Sequence, residues 1–139
     1  TELEDLADHY SEFKQAGCEV YAVSCDTQWV HKAWHDSNEK IGKVNYPMLA
    51  DPTATLARDL DTYNEQTGLA ERGDFILDPE GHVVAYEVIS SNVGRDADEI
   101  LRRVKASQFV YERSDQVCPA KWEPGEETIK PSLDLVGEL

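Results

Sequence analysis

The sequence predicts an α/β fold, a mixed sheet flanked by helices. Three observations carry that prediction. Apolar residues at helical spacing open the chain and recur over residues 95–111. Short runs rich in Val, Tyr and Ile alternate with the early helices, the pattern of strands paired in parallel through crossovers. Late in the chain the turn Asp78-Pro79-Glu80-Gly81 separates two apolar runs and predicts an antiparallel hairpin.

Thr1-Glu2-Leu3-Glu4 has the form of a capping box, and Leu3, Leu6, Ala7, Tyr10 and Phe13 share one helical face, with Gly17 as the stop. Residues 18–24 read as a buried strand. Asp26 or Thr27 is placed to cap a helix over 28–40. Residues 46–50 give a short strand, Asp51-Pro52 a turn, and 53–60 a short helix carrying Leu56, Ala57 and Leu60. The polar run 62–73 reads as a loop. Strands at 75–77 and 82–89 flank the hairpin turn, 90–94 is a loop, and 95–111 is a helix with Ala97, Ile100, Leu101, Val104 and Tyr111 on one face. Its acids Asp96, Asp98 and Glu99 precede its bases Arg102, Arg103 and Lys105, which suits the helix dipole. Two parts are expected: a body over 1–113 and a C-terminal arm over 114–139, marked by Pro124, Gly125, Pro131 and Gly137.

The chain's 139 residues suit one modest core, and 40% hydrophobic content excludes a disordered chain. A net charge of −15 argues against nucleic acid and anionic membranes as partners. No apolar run approaches the ~20 residues of a membrane span. The three cysteines, Cys18, Cys25 and Cys118, do not form a secreted disulfide framework. Cys18 and Cys25, seven apart on a strand, would lie ~23 Å apart on opposite faces. A reducing, cytoplasmic location fits this cysteine usage.

Several blocks resemble the typical two-cysteine peroxiredoxins, in the family's order. They are residues 1–10, Val23-Ser24-Cys25-Asp26, His31-Lys32-Ala33-Trp34, residues 68–73, and Val117-Cys118-Pro119-Ala120-Lys121-Trp122. The ending Pro131-Ser132-Leu133-Asp134-Leu135-Val136-Gly137 is most similar to the bacterial alkyl hydroperoxide reductase C subunits. The resemblance covers the whole chain and implies a thioredoxin-like sheet. It also implies that the chain starts just after the family's P-x-x-x-T-x-x-C motif. The peroxidatic cysteine would then sit two residues before Thr1, and the strands before it would be absent. The chain is accordingly expected to be inactive alone.

By resemblance, Cys118 is the resolving cysteine, which condenses with the sulfenic acid of the peroxidatic cysteine on a partner subunit. Arg72 matches the arginine that leans on the attacking thiolate and the peroxide oxygen. Read without the family, it is a loop arginine paired with Glu71 or Asp74. Glu2 matches a glutamate that positions that arginine; otherwise it is a first-turn acid on free N–H groups. Arg95 is expected to support the same network from further out. Cys18 and Cys25 are read as packing residues. His31, His35 and Glu39 share one helix face, and two histidines at i and i+4 can bind zinc, but no further ligand is indicated, so an exposed or partner-facing stripe is expected. Trp34, on the same helix, is core or, by resemblance, near the active-site pocket.

The resemblance implies a peroxidase for hydrogen peroxide and organic hydroperoxides with no metal or flavin of its own. It implies a homodimer joined edge to edge, often in a ring of five dimers. Electrons would come from a flavoprotein disulfide reductase or a thioredoxin-type protein. Two other readings stand beside it: a thiol–disulfide oxidoreductase using Cys118 alone, which the lack of a C-x-x-C disfavours, and a non-enzymatic holdase or assembly body.

Overall fold

A computed structural model of the chain describes residues 1–137; Glu138 and Leu139, the end of the expected arm, lie outside the described residues. Helix α1 spans Glu2–Gln15. Thr1 is its N-cap but makes no side-chain capping bond, so the expected capping box does not form. Glu4 is drawn instead to Lys40 and Lys43 across the surface. Gly17 ends the helix at a φ of 70°, a conformation that glycine adopts without a Cβ penalty.

Strand β1 (Ala22–Ser24) is shorter than the expected 18–24, because its partner strand β2 (Met48–Ala50) faces only these three residues. The pairing is parallel, as the strand–helix–strand order predicts. Between them lie α2 (Gln28–Ser37), capped by Thr27, and a 3₁₀ turn at Ile41–Lys43. Helix α3 (Thr55–Asp59) is capped from a distance: the Asp51 carboxylate accepts from the Thr55 and Ala57 amides, both at 2.9 Å.

The polar run 62–73 is not one loop. It holds a small antiparallel pair, β3 (Tyr63–Asn64) and β4 (Leu69–Ala70), and Arg72 opens strand β5 (Arg72–Leu77). Strand β6 (Val83–Ile89) completes the expected hairpin with β5. Helix α4 (Ala97–Glu112) starts two residues later than expected, with the Asp96 side chain accepting from the Asp98 and Glu99 amides. Its bases do not serve the dipole: Arg102 and Arg103 sit mid-helix and bond Glu99. Tyr111 leaves the core face and donates to the Glu80 carboxylate.

The expected mixed sheet is realised as three two-stranded ladders, β1–β2, β3–β4 and β5–β6. No hydrogen-bonded strand pairing joins β1–β2 to β5–β6 among the described residues. Side-chain packing joins them instead. Phe13 (1% exposed), Ile76, Leu101 and Val104 form one core cluster; Ile41, Val44 and Tyr46 form a second. Leu6 of α1 and Val20 touch both, so α1 is the wedge between the ladders. Burying side chains of this size is worth about 1.5–3 kcal/mol each.

Residues 114–137 lack regular structure apart from a Val117–Ile129 bridge and a 3₁₀ turn at Leu133–Leu135, but they are not loose. Trp122, 2% exposed, packs on Phe109 of α4 with ring centroids 4.9 Å apart, and its Nε1 donates to the Glu126 carbonyl. Arg102 of α4 donates to the Trp122 carbonyl. The arm is fastened to α4 by its tryptophan.

Candidate active site

The first turn of α1, the start of β5 and the loop before α4 converge on one carboxylate. Glu2, 11% exposed, accepts at Oε1 from the Arg95 backbone amide and from Arg95 Nε, both at 2.8 Å. Its Oε2 accepts from Arg95 Nη2 at 3.3 Å and from Arg72 Nη1. Burial by itself would raise the Glu2 pKa. The bonds from Arg95, and then the charges of Arg95 and Arg72, overcome it and hold the carboxyl at about 2, against an ordinary 4.5. Glu2 is therefore held as an anion at neutral pH, bonded to two guanidiniums.

Arg72 is fixed at a second point, donating from Nε to the Ser91 carbonyl at 2.7 Å. Its side chain is 41% exposed, and Nη2 has no bond among the described residues. A planar guanidinium fixed on two sides with a donor left over can hold an oxyanion and a thiolate together. The loop pairing with Glu71 or Asp74 does not form: Glu71 accepts from Asn64, and Asp74 takes no hydrogen bond. Arg95 is closer to the site than the sequence suggests, and it also donates to the Gly73 carbonyl. Ser91 and Gly73 act through backbone carbonyls, which leave no trace in residue type.

Cys118 is not brought to this cluster. It lies half-buried beside α4, with Sγ 4.0 Å from the Ala106 carbonyl. Burial raises its pKa, partly offset by the Arg102 charge. A thiol with a raised pKa is a poor resting nucleophile, unlike the lowered thiol of an attacking cysteine. Cys18 packs on the first core cluster, and burial raises its thiol as well. Cys25 is half-buried beyond the end of β1.

The histidine stripe on α2 is not exposed at its first member. His31 is 6% exposed, on the face of α2 that packs against β2 and the 3₁₀ turn, and its Nε2 lies 2.7 Å from Ser24 Oγ. His35 Nε2 faces the Val44 carbonyl at 3.3 Å. Trp34 is exposed rather than core. The metal-capable side chains that do lie together, Asp78, Glu80 and His82, sit on the hairpin turn, where His82 Nδ1 is 3.1 Å from Asp78. No described helix is long and apolar enough to cross a membrane.

Comparison with known proteins gives this arrangement a context. The AhpC/TSA family model matches residues 1–86, and the model for the C-terminal domain of 1-Cys peroxiredoxin matches residues 106–139. Alkyl hydroperoxide reductase C of Bacillus subtilis is 52% identical over all 139 residues, which span 74% of that protein. Its Escherichia coli K12 counterpart shows the same identity and coverage. Among solved structures, Enterococcus faecalis AhpC superposes with a TM-score of 0.82 at 49% identity, covering 85% of this chain and 71% of that one. Reduced Plasmodium vivax 2-Cys peroxiredoxin gives 0.89 at 28% identity over 96% and 69%. The separated ladders and packed helices described above are thus parts of a thioredoxin-like fold, and the chain belongs to the peroxiredoxins, the AhpC/TSA family of thiol-dependent peroxidases.

Proposed function

We propose that this chain is a subunit of a peroxidase that reduces hydrogen peroxide and organic hydroperoxides through an intersubunit disulfide, with Cys118 as the resolving thiol. The observation that carries the reading is the Glu2–Arg72–Arg95 cluster at the start of α1. The attacking thiolate, contributed from outside residues 1–139, bonds to one peroxide oxygen. The O–O bond breaks, and the leaving oxygen takes a proton to depart as water or an alcohol. Arg72 stabilises both the thiolate and that oxygen, and Glu2 positions Arg72. The Cys118 sulfur of the partner subunit then attacks the sulfenic acid, releasing water and closing the disulfide. Two electrons and two protons from a reductant reopen it.

The body over 1–113 presents the arginine cluster, and the arm over 114–139 carries Cys118. Release of Trp122 from Phe109 frees the arm to reach the partner. Edge-to-edge dimers draw support from β6, whose outer edge has no partner among the described residues. A ring of five dimers, a cytoplasmic location, and a flavoprotein disulfide reductase or thioredoxin-type electron donor complete the reading.

The test is the rate of hydroperoxide consumption by the peroxidase-competent protein, these residues together with the attacking thiol. Arg72→Ala should lower kcat/KM by about 10²–10³-fold, the usual loss for one preorganised donor. An unchanged kcat/KM removes Arg72 from the reaction. The 139-residue polypeptide assayed alone should consume peroxide no faster than a free thiol.

A further inference from the structure

Asp74 is the least satisfied charged group among the described residues. Its side chain is 12% exposed, and both carboxyl oxygens are buried without a hydrogen bond. It shares a face of β5 with Arg72 and Ile76, since alternate residues of a strand point the same way. It therefore lies between the Arg72–Glu2–Arg95 cluster on one side and the apolar core on the other. Across the ladder it directly opposes Glu87 of β6, a like-charge pairing that disfavours ionising both.

The cations nearby are committed elsewhere. From α4, Arg103 bonds Glu87 and Glu99 and reaches Asp74 only at 3.8 Å, outside hydrogen-bond distance. From the loop before α4, Arg95 bonds Glu2 of α1 and the carbonyl of Gly73, the residue next to Asp74. Leaving a buried carboxylate unbonded is costly, so such a group tends to keep its proton. Burial, then Glu87, push the Asp74 pKa up; Arg95 and Arg103 only partly oppose them.

We propose that Asp74 is a positioning residue for the active-site arginines, a second anionic claimant for Arg95 that competes with Glu2 whenever it ionises. With a neutral Asp74, Arg95 is left to Glu2, and Glu2 holds Arg72 in place. Ionised, Asp74 draws the Arg95 guanidinium toward β5, loosens its grip on Glu2 and relaxes Arg72. Asp74 touches no reacting atom. It acts through Arg95, and the inference rests on the peroxidase reading for its effect on rate.

The experiment compares the peroxidase-competent protein with its Asp74→Asn variant, which mimics the neutral carboxyl. Two signals are followed across the pH range where Asp74 titrates: kcat/KM for a hydroperoxide, and the NMR shift of the Arg95 Nε–H group, which needs no turnover. In the parent protein, kcat/KM should carry a limb that falls by about two- to tenfold as Asp74 ionises. The Arg95 signal should move with the same midpoint as the Asp74 carboxyl carbon. In Asp74→Asn both the limb and the movement should vanish. Parallel profiles for the two proteins overturn the proposal, because a merely structural Asp74 would change stability and leave the pH profile alone. If the parent shows no peroxidase activity, the functional reading fails on its own, and the Arg95 signal still decides the role of Asp74. If Asp74→Asn does not fold, a parent Arg95 shift that stays fixed while Asp74 titrates overturns the proposal, and one that tracks Asp74 supports it.

Discussion

Glu2→Gln removes the charge from the carboxylate that locks the arginine cluster while keeping its shape. The Glu2 pKa falls from 4.5 to about 2 in the folded chain. Taken whole, that depression corresponds to at most about 3 kcal/mol of stability at neutral pH. Arg72 is 41% exposed, so solvent screens its share, and about 2 kcal/mol is expected. The sign follows from the direction. A carboxyl whose folded pKa is depressed contributes fully above its unfolded value of 4.5 and loses the contribution as pH falls toward 2. Urea unfolding of parent and variant should therefore show a gap of about 2 kcal/mol near pH 7 and less than half of that near pH 3. An equal gap at both values, or none at neutral pH, refutes the reasoning that Glu2 acts through its charge.

Trp122→Ala should release the arm more than it destabilises the body. Buried Trp→Ala changes cost about 3–5 kcal/mol, and the Trp122 contacts lie within the arm and along α4. Faster alkylation of Cys118 and lost amide protection at Val117 and Ile129 are expected; unchanged rates at both would show that other contacts hold the arm. His9 donates from Nδ1 to the Asp5 carbonyl and faces Asp98 through Nε2 at 3.2 Å; the bond to Asp5, opposed by burial and aided by Asp98, raises its pKa. That contribution is full below the unfolded value of 6.5 and is lost as pH rises through the folded one. His9→Gln should thus lower the melting temperature more near pH 5.5 than near pH 8.5, and equal shifts would count against it. Leu101→Ala, at the centre of the first core cluster, should cost about 2–5 kcal/mol in urea unfolding; a loss under about 1 kcal/mol would place Leu101 outside the core.

Much of the fold can be read from local pattern. The face of α1, the hairpin turn and the Thr27 cap are set by spacings of two to four residues, and the structure has them. The misreadings arise where distant partners outbid local ones. Glu4 abandons the capping box for lysines nearly forty residues away. Two-residue strands such as β3 and β4 are too short to show an alternation, so the run before Arg72 reads as a loop. His31 sits at helical spacing with His35, yet only the packing of α2 against β2 and the 3₁₀ turn buries it. In the arginine cluster, the residue types were visible, because the family blocks carry Glu2 and Arg72. Their arrangement was not: Arg95 meets Glu2 across 93 residues, and Ser91 and Gly73 contribute only backbone oxygens. The arm marked by Pro124 and Gly125 is held down by a buried tryptophan, whose partner Phe109 no local spacing identifies.

The most direct test of the resolving role is a peptide map of the oxidised protein. The peroxidase-competent protein is treated with one equivalent of hydroperoxide, its remaining thiols are blocked, and its disulfides are located by mass spectrometry without reduction. The account predicts a bridge between subunits from Cys118 to a thiol outside residues 1–139, with Cys18 and Cys25 recovered as blocked thiols. A Cys118 that stays alkylatable after peroxide, or a bridge formed through Cys18 or Cys25, would contradict it.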